Sequence, residues 1–234
     1  MSEYTTPGLE QFNHLLFGDR RADVAMRFLR GHLLIEQAVT DLIHVRAVKP
    51  TALIHKRTMM SQKLNLCEGL GWLPDRLVKA LRAVTDRRND LAHALDERLT
   101  VERVDSLYYA LTEELRRAVD AVLAERLTGP TERVLLRADM NSEGVIWSFV
   151  SESRLTAILL ILSMEIGQEL QLARYECDNR EKLRAFHLAI AADELDGLPS
   201  RESVIRARLQ LPEPPDPRHA LAALFPPAGN EDNE

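Results

Sequence analysis

Apolar side chains at Leu77, Leu81, Val84, Leu91 and Leu95 follow the three-and-four spacing of a helix with one buried face. Upstream, Ala25, Phe28, Leu29, Ile35, Val39, Leu42 and Ile43 draw a second such stripe. Pattern and punctuation together predict helices over residues 9–17, 19–48, 52–69, 74–94 and 101–127. Lys49-Pro50 stops the second, because proline disfavours the helical conformation in the residue before it. Gly69 and Gly71 end the third, Pro74 opens the fourth, and Gly129-Pro130 ends the fifth. After the short first helix, four helices with short connections predict an all-α fold, an antiparallel bundle over residues 1–128.

Beyond that boundary a mostly helical C-terminal extension is expected over residues 129–211. Residues 133–139 and 145–150 flank Asn-Ser-Glu-Gly and read as a short β-hairpin, or the second of them begins the following helix. Helices follow at 152–176, 180–194 and 201–209. The stretch 155–172 is apolar nearly all round, so it is either the core of the C-terminal part or a dimer interface. From Pro212 onward, six prolines and several acids predict a disordered tail over 212–234.

Composition agrees with a helical protein that buries a core. Hydrophobic residues make 45% and charged residues 28%, with only 10 glycines and 11 prolines in 234 residues. A net charge of −6 argues against general binding of polyanions, because phosphate-backbone affinity comes from lysine and arginine displacing counterions. Cys67 and Cys177 stand far apart and read as small buried hydrophobes in a reducing compartment. The start of the chain has no basic, apolar leader, and the most apolar stretch, 155–164, is about half a membrane span. A cytoplasmic protein without membrane contact is the expectation. No histidine spacing suggests a metal site, and no glycine-rich phosphate loop or nucleophile motif is present, so neither metal nor cofactor is expected.

The informative segment is Asp86-Arg87-Arg88-Asn89-Asp90-Leu91-Ala92-His93. Arg88 falls within the apolar stripe of its helix, where a charge is costly unless paired. Glu36, with His32 one turn before it, lies in the middle of the upstream stripe. A buried Glu36–Arg88 ion pair between the two helices is therefore expected. Arg82, Asp86, Asn89 and His93 occupy the opposite side, and Asn89 and His93 are neighbours at a spacing of four. On an ideal helix Arg88 and His93 point about 140° apart. For both to touch one phosphate, the helix must end near Asn89 or a second subunit must supply one group. The second option describes a composite site in a homodimer.

Arg88-Asn89, three residues, then His93 resembles the signature of the HEPN superfamily, in which Arg and His are separated by four to six intervening residues at a helix end. Gly31-His32-Leu33-Leu34-Ile35-Glu36 resembles that family's earlier helix with its polar residue, and Leu70-Gly71-Trp72-Leu73 resembles the mannitol operon repressor-like branch. The resemblance covers about residues 20–127. It implies a HEPN bundle and metal-independent RNA cleavage by a two-fold dimer of the toxin or phage-defence type, leaving 2′,3′-cyclic phosphate ends. His93 would move the proton, Arg88 would meet charge on the phosphorane, and Asn89 would orient the histidine or the phosphate. Glu36, His32 and Arg87 would support the site, with Arg82 and Lys79 as RNA contacts. Targets of AMP transfer in this superfamily carry tyrosine two residues after the histidine, and here that position is Leu95.

The rival reading keeps the fold without the chemistry. Arg88 would then hold two helices together, and His93 would interact with the last helical carbonyls and the macrodipole. His32 reads as a hydrogen-bonded core histidine, and most surface arginines as solvated helix faces. The protein would be a non-catalytic dimeric regulator or adaptor binding a regulatory protein partner, where the toxin reading would imply a cognate antitoxin.

Overall fold

The computed structural model describes residues 8–17, 24–93, 99–127, 143–195 and 202–225. Among them the secondary structure is helical throughout, with no strand. In order run α1 (Leu9–Phe17), α2 (Val24–Arg46), the single-turn α3 (Pro50–Leu53), α4 (Met60–Gly69), α5 (Asp75–His93), α6 (Val101–Ala110) and α7 (Glu113–Leu127). Then come α8 (Glu143–Asp178), α9 (Arg180–Leu195), α10 (Glu202–Arg208) and two 3-10 turns, Pro217–His219 and Leu221–Leu224. The all-α bundle expected from the periodicity is therefore present.

Two predicted helices are each divided. Residues 54–59 leave the helical conformation between α3 and α4, and the gap is stabilised locally. The His55 amide donates to Thr58 Oγ1 at 2.9 Å, and the Met59 amide donates to Gln62 Oε1 at 3.0 Å. That second bond satisfies an amide left open at the start of α4. The predicted helix over 101–127 breaks at Leu111, whose backbone is extended. Thr112 then opens α7, accepting from the Leu115 and Arg116 amides through its hydroxyl and its carbonyl.

Of the two readings of residues 145–150, the start of the following helix is the one observed. Residues 133–139 lie outside the described residues, and residues 145–150 belong to α8, which begins at Glu143. Gly129-Pro130 also lies outside them, but the apolar core does not stop at that boundary. At 36 residues α8 is roughly 54 Å long. It packs along α2 and against α5, α6 and α7. Ile158, Leu159, Leu162, Ile166 and Leu170 are buried in one core with Phe28, Ile35, Leu42, Leu77 and Leu81. The stretch apolar on all sides is thus core for both halves of the chain, because helices surround it.

Charges on α8 are placed to match. Arg154, Glu165 and Glu176 recur every eleven residues, three turns plus only about 20°, so they share one face. Arg154 pairs with Asp105 on α6, Glu165 with Arg76 on α5 at 2.7 Å, and Glu176 with Arg46 on α2. Arg27 on α2 meets Glu152 at 3.1 Å. The membrane expectation needs correction on length. Over Glu152–Asp178, α8 is long and apolar enough to cross a membrane by length and composition, although 67% of its most apolar 18-residue window is buried inside this fold.

The tail expectation is also overturned from Pro212 to Phe225. Leu221 is fully buried and Ala220 nearly so, packed on α8. Gly167 makes this possible, since a Cβ there would lie 2.1 Å from the Ala220 carbonyl oxygen. Arg174 donates to the Ala223 carbonyl at 3.2 Å, and Tyr175 to the Pro212 carbonyl at 2.7 Å. Proline content hid the apolar run Ala220–Phe225, which docks in the notch. Cysteine burial is corrected for one of two: Cys67 is buried and Cys177 exposed.

Candidate functional site

The site is assembled on α5 and the helices beside it. Pro74 precedes the helix, and its carbonyl accepts from the Leu77 and Val78 amides. Leu77, Val78, Leu81 and Val84 seat α5 in the core. That fixes its rotation, leaving Lys79 and Asn89 exposed and Arg82, Arg87 and Arg88 half-buried at the edges. His93 is the last residue of α5; its side chain lies outside the described residues, as do residues 94–98.

The expected Glu36–Arg88 pair is not formed. Glu36 Oε1 instead accepts from Lys63 Nζ of α4 at 2.9 Å. Lys63 is itself buried, on the α4 face that carries Met60, Leu64 and Cys67. Its buried placement and its charge make it the natural partner for a carboxylate on the facing helix. The signal was present in the sequence as a lysine within a stripe of Met60, Leu64 and Cys67. Arg88, released from that pairing, donates from Nη1 to Asn89 Oδ1 at 3.2 Å and has no carboxylate partner among the described residues.

Its basic neighbours differ. Arg82 makes a two-pronged pair with Glu68, at 2.6 and 3.1 Å, and also donates to Asn65 Oδ1 at 2.8 Å. Arg87 donates to Asp90 Oδ2 at 3.1 Å and to Ser106 Oγ at 2.8 Å, tying α5 to α6. Both are therefore committed within the protein, while Lys79 makes no ion pair among the described residues.

His32 is 2% exposed, yet neither ring nitrogen has a hydrogen-bond partner among the described residues. The expectation of a hydrogen-bonded core histidine is met in burial and not in bonding. Burial lowers its pKa below 6.5, Glu36 opposes that shift, and Arg88 and Lys63 add to it. His32, Glu36, Lys63 and Arg88 thus form one electrostatically coupled group behind the end of α5. Among the described residues no cluster of histidine, cysteine, aspartate or glutamate is suited to hold a metal ion. Compared with protein-family models, curated proteins and solved structures, the chain matches none.

Proposed function

We propose that the chain is a metal-independent endoribonuclease of the HEPN type, working as a homodimer with Arg88, Asn89 and His93 at its site. The observation that carries this reading is the state of Arg88. Alone among the three arginines of this helix edge it has no carboxylate partner among the described residues, and it is bonded to Asn89 near the helix end. A guanidinium not neutralised within the protein is available to a phosphate.

In the proposed reaction the ribose 2′-oxygen attacks phosphorus and the bond to the 5′-oxygen breaks. One imidazole accepts the 2′-hydroxyl proton, a proton passes to the departing 5′-oxygen, and the upstream fragment retains a 2′,3′-cyclic phosphate. Arg88 meets the charge that builds on the phosphorane, and Asn89 holds its guanidinium in place. Because α5 continues past Asn89 to His93, and an ideal helix separates positions 88 and 93 by about 140°, a second subunit supplies the complementary group. DNA, lacking the 2′-hydroxyl, is not cleaved.

The test incubates purified protein with mixed RNA in EDTA, beside His93→Ala. Fragments ending in 2′,3′-cyclic phosphate from the wild type alone support the nuclease. Intact RNA with a folded dimer overturns it. A second reading, a non-catalytic regulator or adaptor for a protein partner, draws on the commitment of Arg82 and Arg87 to internal partners and on the net charge of −6, which together leave a thin basic surface for RNA. Growth arrest on expression, relieved by His93→Ala, separates the two readings in favour of the enzyme.

A further inference from the structure

A cleft of about 800 Å³ opens at the far end of α8, away from the α5 site, between the C-terminal ends of α2 and α8 and the face of α9 and α10. That volume is within the range of small-molecule sites. Its lining reverses the charge of the protein as a whole. Arg46, Arg180, Arg184 and Arg206 face one carboxylate, Glu176, in a chain of net charge −6. Glu176 is already engaged by Arg46, so it does not neutralise Arg180 or Arg184.

Arg180 and Arg184 are four apart on α9 and project from one face, where two like charges repel. Both are exposed and neither has an acidic partner among the described residues. Arg206 is held in position, its guanidinium stacked 5.1 Å over the Phe186 ring and donating to the Pro212 carbonyl at 3.0 Å. Trp72, Phe186 and Leu183 supply flat and apolar wall beside these cations. Guanidinium groups suit a planar or tetrahedral oxyanion, and aromatic wall suits a ring.

We infer that this cleft binds a small organic anion, an aromatic or similarly flat body bearing a phosphate or carboxylate group, with Arg180 and Arg184 on the anion and Trp72 and Phe186 against the ring. Nothing in this inference depends on the nuclease reading. The anion relieves the repulsion between Arg180 and Arg184, and the ring is removed from water against the aromatic wall.

The full chain carries its own reporter. Cys177 lines the cleft and is exposed, whereas Cys67 is buried with its thiol pushed up to about 12. A thiol reagent on the native protein therefore reads Cys177. The probes are 1-naphthyl phosphate, 1-naphthoate, inorganic phosphate and uncharged 1-naphthol, followed by the rate of Cys177 alkylation as a function of probe concentration. At least one naphthyl anion is expected to slow alkylation several-fold and to bind roughly tenfold tighter than 1-naphthol or inorganic phosphate, the value of one charge-assisted contact. Tighter binding of the phosphate or of the carboxylate identifies which group the cleft prefers. Arg180→Gln with Arg184→Gln, both at exposed helical positions, should abolish that preference while the circular dichroism melt is unchanged. The inference is overturned if neither anion protects Cys177, if 1-naphthol binds equally well, or if the double variant binds as the wild type does.

Discussion

Lys63 Nζ of α4 lies 2.9 Å from Glu36 Oε1 of α2, and the lysine side chain is the more buried of the two, 10% exposed against 27%. The asymmetry sets which half of the pair the fold depends on. Removing Glu36 strands a buried ammonium, whereas removing Lys63 leaves a carboxylate that water still reaches. The same carboxylate is one turn from His32, so the pair also sets the field around that buried ring.

Glu36→Gln should therefore lower stability by about 2–4 kcal/mol and Lys63→Met by about half as much, with Glu36→Leu plus Lys63→Met recovering most of the loss. Urea unfolding of the four proteins measures this. Equal stability of Glu36→Gln and wild type would show that the ion pair contributes nothing.

Gly167→Ala should release the C-terminal segment from α8. A helix interior ordinarily gains about 1 kcal/mol from this change, but here the new Cβ meets the Ala220 carbonyl at 2.1 Å and backbone must move. Limited proteolysis should then cut between 212 and 225 at least several-fold faster. Gly69→Ala, with nothing within 4 Å of the added carbon, is the control and should leave cleavage unchanged.

The pH dependence of stability should carry the mark of His32. Burial favours its neutral form, so its folded pKa is below the unfolded value of 6.5. As pH falls below 6.5 the unfolded chain binds a proton that the folded chain resists, and stability drops, by at most about 1.4 kcal/mol per pH unit. Glu169 acts in the opposite sense: burial first, then Glu165 and Glu176, raise its pKa against the pull of Arg46 and Arg76, so its contribution weakens as pH rises. Subtracting the profile of His32→Leu isolates the histidine. Parallel profiles between pH 7.5 and 5.5 would rule the effect out.

Arg88→Ala should reduce RNA cleavage by about 10²–10³-fold, the usual value of one donor to a developing oxyanion. Its melting temperature should change little, because Arg88 makes no ion pair among the described residues. Arg87→Ala should show the reverse, losing stability with the bonds to Asp90 and Ser106 while retaining cleavage. A large loss of stability in Arg88→Ala would return that residue to a structural role.

Helices and their buried faces were legible from periodicity, as at Leu77, Leu81 and Val84, because the spacing of apolar side chains is a local property. Interruptions were less so. Thr112 carried a helix-start signal within an unbroken apolar pattern, and the break at Leu111 accompanies the separate packing of α6 and α7 on α8. The site was legible as a set of residues on α5, and its pairing was not.

What the chain determined by itself is the all-α architecture, the face each helix buries and the grouping of Arg82, Arg87, Arg88 and Asn89 along one helix, since all of these follow from 100° per residue. Tertiary structure alone decided which carboxylate each cation meets: Glu36 goes to Lys63, Glu68 to Arg82, and Arg88 is left to Asn89. It also decided that α8 serves as core for both halves of the chain and that Ala220–Phe225 docks rather than trails. Such choices depend on distances between elements far apart in sequence, where burial and Coulomb attraction act through space and leave no periodic trace along the chain.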